Sequence, residues 1–324
     1  MTEDDSLSKA HNAQAPLAAS KLSDRFAQFP RALASNSVSI HLAGVPCLLV
    51  HPDWQTKRPM LLWMHGRTAH KELDAGRYLR CMRAGIACCA IDLPGHGERA
   101  NTHLQSPAGT LDVIETASRE LDTVLDSLCD AALIAGAATQ AARQGALSSS
   151  KAHTSELFDI DACIIGGMSL GGMTALARLC SPHAFRACIL ECTTGWFEGL
   201  YLPSASESGA RPWPVQHDPA RVRSLDPMSR LEGFAPLPLL AMHSLADSVV
   251  PWRVQRTFLD ALRSRYARLG VQPTLIETRT WPTTGAPDEH SGFGKVASEA
   301  KSVFVDFASK ALALPPSVDA QNTP

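Results

Sequence analysis

The stretch ACIIGGMSLGGMTALARLC, residues 162–180, sets the fold class of this 324-residue chain. Its first four residues are a continuous apolar run that suits a buried strand. Its closing residues, from Met173 to Leu179, suit a helix. Between them Gly167-Met168-Ser169-Leu170-Gly171 fits G-x-S-x-G, in which a strand turns sharply into a helix and exposes a serine at the tip. The glycines have a steric cause, because side chains two residues before or after the serine would strike the neighbouring strand and helix. Here Gly166-Gly167 precede it and Gly171-Gly172 follow. The five-residue pattern alone is common; within strand–turn–helix it is specific, and Ser169 reads as a nucleophile.

On either side of this stretch, other apolar runs have the same character. Residues 38–42 and 45–50 form a hairpin pattern around Ala43-Gly44. Residues 60–64 (MLLWM) end at His65-Gly66, and residues 86–93 (IACCAIDL) end at Pro94-Gly95. Residues 187–190, 237–242 and 275–278 complete the strand candidates. Helical patterns fall between them at 74–84, 110–130, 171–180, 251–269 and 295–312. Such alternation predicts an α/β fold, a parallel sheet covered on both faces. Its site is expected outside the carboxyl ends of the strands.

Two regions interrupt the alternation. Residues 131–155 are rich in Ala, Gln and Ser and are read as a helix extension with a flexible loop. Residues 193–232, between two strands, carry Trp196, Phe197, Tyr201 and Trp213 and are read as a lid-like insertion. Residues 1–20 and 315–324 have the composition of disordered tails. A net charge of −2 gives no global attraction to nucleic acid or to an anionic membrane. No apolar run reaches the ~18 residues of a membrane span. The acidic start (Glu3, Asp4, Asp5) lacks the apolar core of a secretory signal. Several of the nine cysteines sit inside apolar runs, so a reducing, cytoplasmic setting without disulfides is expected.

Five motifs together carry a resemblance: MHGRT (64–68), DLPGHGER (92–99), GGMSLGG (166–172), HSLADSVVP (243–251) and DEHSGF (288–293). From about residue 38 to residue 312 the chain resembles the α/β-hydrolases, closest to the prolyl-oligopeptidase-like and dienelactone-hydrolase-like esterases. The resemblance implies one domain over residues 21–314, with a mostly parallel twisted sheet of about eight strands. It implies oxyanion donors at the backbone N–H groups of Arg67 and Leu170. It also implies the chain order Ser, acid, His. Asp247, in the loop after the PLPLLAM run, is the acid; Asp226 is the runner-up. Of the histidines after Ser169 (His183, His217, His243 and His290), only His290 also follows Asp247, so it is the base.

The remaining motif residues read as support. His65 precedes its turn and is structural; His243 packs near the site. The Arg67 side chain pairs with Glu72 or Glu98, or else attracts an anionic substrate. Asp92 to Arg99 lacks the G-K-[ST] of a phosphate loop and is a conformational turn near the pocket. Neither an H-E-x-x-H nor a paired C-x-x-C pattern is present, so no metal or cofactor is expected. The expected activity is hydrolysis of a small or medium carboxylic ester through an acyl-enzyme. Trp196, Phe197, Tyr201 and Trp213 are candidate substrate contacts, with Trp252 and Trp281 near the acid and base loops. An acyltransferase or thioesterase with the same three residues, and a non-catalytic binding protein of this fold, are the alternatives.

Overall fold

The apolar runs become one eight-stranded sheet in a computed structural model that describes residues 30–143, 156–202 and 214–314. The strands are β1 (Ser37–Leu42), β2 (Val45–Val50), β3 (Arg58–Met64), β4 (Ala87–Ile91), β5 (Phe158–Met168), β6 (Ala187–Glu191), β7 (Leu239–Ser244) and β8 (Ile276–Trp281). Their order is β1-β2-β4-β3-β5-β6-β7-β8. The β1–β2 and β2–β4 pairs are antiparallel; β3 to β8 run parallel.

Continuous apolar strands follow from burial on both faces. Along β3, Met60, Leu62 and Met64 enter one core, while Leu61 and Trp63 enter the other. The first core is closed by α2 (Thr110–Ser127), α3 (Ala131–Arg143), α4 (Leu170–Leu179) and α7 (Trp252–Arg268). The second is closed by α1 (Ala75–Arg83) and α8 (Ala297–Ala311). Between β6 and β7 lie two short helices, α5 (Phe197–Tyr201) and α6 (Pro219–Leu225).

Several expected boundaries move. Strand β5 starts at Phe158, because its first two residues pair with Arg58 and Pro59 across a register shift in β3. Strand β8 begins at Ile276 after a helical turn at Pro273–Leu275. The single helix expected over 110–130 stops at Ser127, and Asp130 restarts the chain as α3 by accepting the N–H groups of Ala132 and Leu133. The expected tails, the loop after residue 143 and Trp213 lie outside the described residues.

A buried ionic lock joins the loop after β3 to the turn after β4. Lys71, fully buried, reaches Asp92 (2.9 Å), Glu72 (3.1 Å) and Glu98. Asp92 also accepts the backbone N–H groups of Lys71 and Glu98. Burial alone would lower the Lys71 pKa, but Asp92 and its neighbours outweigh it and raise it. The DLPGHGER turn is thus the conformational element that its sequence suggested. Lys71→Met is expected to destabilise the protein by about 3–5 kcal/mol, since it removes the cation that the buried Asp92 carboxyl group pairs with. A urea titration checks this; a loss below about 1 kcal/mol would show that the lock is dispensable.

Candidate active site

The chain leaves β5 and enters α4 through Ser169, which has φ 51° and ψ −115°. A non-glycine residue there is strained and must be held by its surroundings. Ser169 N–H donates to the Glu191 carbonyl (2.8 Å), and Thr193 Oγ1 donates to the Ser169 carbonyl (2.7 Å). The glycines permit the turn. A Cβ on Gly171 would lie 2.3 Å from the Met64 carbonyl oxygen, and one on Gly167 would lie 2.4 Å from the Gly171 backbone.

His290 and Asp247 meet this serine although all three lie in separate loops. His290 Nε2 is 2.8 Å from Ser169 Oγ, and His290 Nδ1 is 2.8 Å from Asp247 Oδ2. An ionised carboxylate only accepts, so Nδ1 carries the proton and Nε2 is left to accept from the serine hydroxyl. Asp247 Oδ1 accepts the N–H groups of Val249 (2.9 Å) and Val250 (2.8 Å), which orients the carboxylate. His243 comes within 3.4 Å of Asp247 Oδ2, but its Nε2 is bonded to the Val250 carbonyl (2.8 Å). Burial lowers the His243 pKa and favours the neutral ring, so it braces the acid loop. Asp226, the runner-up acid, is elsewhere: it accepts the N–H groups of Phe197 and Glu198 at the start of α5.

The loop after β3 is oriented by His65. Leu93 N–H donates to His65 Nε2 (3.1 Å), which places the ring proton on Nδ1. Nδ1–H then holds the Gly66 carbonyl oxygen at 2.7 Å. Gly66 C=O and Arg67 N–H belong to one planar trans peptide and point oppositely, so fixing the first aims the second. The structural reading of His65 therefore has a definite content. The Arg67 side chain departs from expectation. Its guanidinium donates to the carbonyls of Gln105 (3.1 Å) and Ser106 and to Thr110 Oγ1, while Glu72 and Glu98 are taken by Lys71. Lys71 follows three residues after Thr68 and reaches both carboxylates from inside the loop.

Ser169 opens on a cavity of about 580 Å³, with Arg67, Leu170, Met173, Tyr201, Val249 and His290 in its wall. Of the expected aromatic contacts among the described residues, Tyr201 lines this wall; Trp196 and Phe197 do not. The reason is the anchoring of α5 on Asp226, which turns Phe197 fully into the core. Trp252 lies against His243, and Trp281 against Phe293, both off the cavity.

Two buried features escaped the sequence reading. The Glu191 carboxylate, beneath the elbow, meets Arg77 at 2.6 Å. Arg77 also contacts Asp74 (2.6 Å) and stacks on Trp63. Burial pushes the Glu191 carboxyl up despite that partner. A glutamate closing the apolar run ACILE was the available signal. The second is Cys192, whose sulfur lies within 4.8 Å of ligand atoms on Asp247 and His290. These three could hold a metal ion, though Asp247 and His290 are already hydrogen-bonded to one another.

The sequence matches the Alpha/beta hydrolase family over residues 47–305. Esterase YjfP of Escherichia coli (strain K12) is 24% identical over 245 residues, 72% of this chain and 89% of that protein. Est1E of Butyrivibrio proteoclasticus, solved with ferulic acid bound, superposes with a TM-score of 0.55 at 14% identity, covering 85% of this chain and 99% of its own. The acylaminoacyl peptidase of Pyrococcus horikoshii gives a TM-score of 0.55 at 15% identity over 86% of this chain; the match spans 41% of that peptidase. At such identities the two structures speak for the fold alone.

Proposed function

The chain belongs to the Alpha/beta hydrolase family, and on that footing we propose that it is a serine hydrolase of small or medium carboxylic esters. The observation that carries this reading is the hydrogen-bonded line Ser169–His290–Asp247 beside a cavity of about 580 Å³, a size that suits a small ligand. His290 takes the Ser169 proton as Oγ attacks the ester carbonyl. Asp247 holds the imidazole tautomer and stabilises the imidazolium. The N–H groups of Arg67 and Leu170 receive the oxyanion, the first aimed by His65 and the second at the start of α4. His290 then protonates the departing alkoxide, and water repeats the sequence on the acyl-enzyme. The described residues of the insertion around α5 serve as part of a lid, with Tyr201 on the cavity wall. The nine free thiols, eight of them buried, fit a reducing compartment such as the cytoplasm. Among the described residues no helix is long and apolar enough to cross a membrane.

The test exposes the protein to a fluorophosphonate probe and to p-nitrophenyl esters of graded chain length. Labelling at Ser169 and hydrolysis of the short and medium esters are expected. Absence of labelling would overturn the serine-hydrolase reading. Labelling with transfer to added alcohols, but without hydrolysis, would reassign the protein as an acyltransferase.

A further inference from the structure

The base loop contains an unusual backbone feature immediately before His290. Asp288 and Glu289, both non-glycine, have φ of 53° and 52°. Two successive left-handed residues are costly and persist only where other contacts impose them. Those contacts converge on Glu289. Its Oε2 accepts from Ser244 Oγ (2.8 Å), Thr284 Oγ1 (2.8 Å) and Thr284 N–H, and its Oε1 accepts from Gly285 N–H (2.8 Å). All four donors are uncharged. Ser244 is the last residue of β7, three residues before Asp247, so this carboxylate ties the base loop to the strand that presents the acid. A second tie lies beside it: the Asp288 carbonyl accepts from Ser248 N–H (3.2 Å) and Ser248 Oγ (3.1 Å).

We propose that Glu289 is a positioning residue for the base: its carboxylate holds the left-handed turn that aims His290 at Ser169 and Asp247 together. The inference rests on the reading of those three as a catalytic set. The geometry makes the demand plain, since one imidazole must keep 2.8 Å to partners on both sides. Releasing the turn lets the ring move relative to both. The hydrogen bonds, those of Thr284 foremost, hold the Glu289 carboxyl down at about 2, so it stays an acceptor at every pH where esters are assayed.

Glu289→Ala, Glu289→Gln and Ser244→Ala are the variants to compare, with kcat, KM and fluorophosphonate labelling rate measured for each. The parent is tested first. A parent that neither labels nor turns over would sink the triad reading itself. With a reactive parent, Glu289→Ala is expected to lower kcat about 10- to 100-fold, the scale of a misplaced catalytic group, with KM within about twofold. The labelling rate should fall in proportion. Glu289→Gln should fall between, because its amide oxygen can still accept the Ser244 and Thr284 donors while its NH2 faces Gly285 N–H. Ser244→Ala, which leaves three of the four bonds, should show the smallest loss and decides the matter with Glu289→Gln where the alanine variant does not fold. Parental kcat and labelling in Glu289→Ala, or a change confined to KM, would overturn the proposal.

Discussion

Ser169→Ala is expected to lower ester turnover by about 10⁶-fold in kcat and to abolish fluorophosphonate labelling. The substitution removes one hydroxyl and little else. The elbow is held by backbone bonds, from Ser169 N–H to Glu191 and from Thr193 Oγ1 to the Ser169 carbonyl, and both survive in alanine. The proposed oxyanion donors are backbone groups too, so a residual acceleration of about 10³–10⁴ over water should remain. Steady-state assays with a p-nitrophenyl ester and intact-mass analysis after probe treatment check both parts. Turnover near the parental rate, or labelling of the Ser169→Ala protein, would place the nucleophile elsewhere.

His290→Ala should cost a similar factor, about 10⁶ in kcat, whereas His243→Ala should stay within about 100-fold of the parent. Both rings approach the same carboxylate oxygen of Asp247, at 2.8 Å and 3.4 Å. Proximity to the acid therefore does not distinguish them; what Nε2 faces does. His290 offers Nε2 to Ser169 Oγ, while His243 spends its Nε2 on the Val250 carbonyl. Losing the first removes the proton acceptor. Losing the second loosens the loop that carries Asp247. Parallel kcat measurements decide, and equal losses in the two variants would mean that the base has been misassigned.

Of these three residues Ser169 is announced locally, whereas Asp247 and His290 are reached through the chain order that the family resemblance implies. Ser169 sits among glycines whose steric role can be read from five consecutive letters. Asp247 and His290 follow from chain order in a fold whose strands show as apolar runs. The inner strand runs are visible because both faces of the sheet are covered there, whereas the edge strands β1 (SVSIHL) and β8 (IETRTW) carry exposed polar residues and read less clearly. Glu191 marks where that legibility ends. It closes an apolar strand and sits under Ser169, yet its partner Arg77 belongs to a helix more than a hundred residues earlier. Tyr201 and Phe197 show the same limit at short range. They are four residues apart on one face of a single helix and both are buried in the core, yet only Tyr201 also reaches the cavity wall, which depends on how that helix is seated on Asp226.

The α/β architecture, the elbow at Ser169 and the order in which an acid and a histidine follow it are written in the linear chain. The first two are properties of contiguous residues, apolar periodicity and glycine where a Cβ cannot fit; the order is what the resemblance to a known family implies. Which side chains support that chemistry became definite only in three dimensions. Lys71 rather than Arg67 pairs with Glu98, His65 fixes the peptide that carries the Arg67 N–H, and Glu289 ties the base loop to β7. Each of these is a hydrogen bond or ion pair between groups distant along the chain or turned by a loop. Such contacts depend on where side chains point after the sheet has formed, and no local pattern encodes that direction.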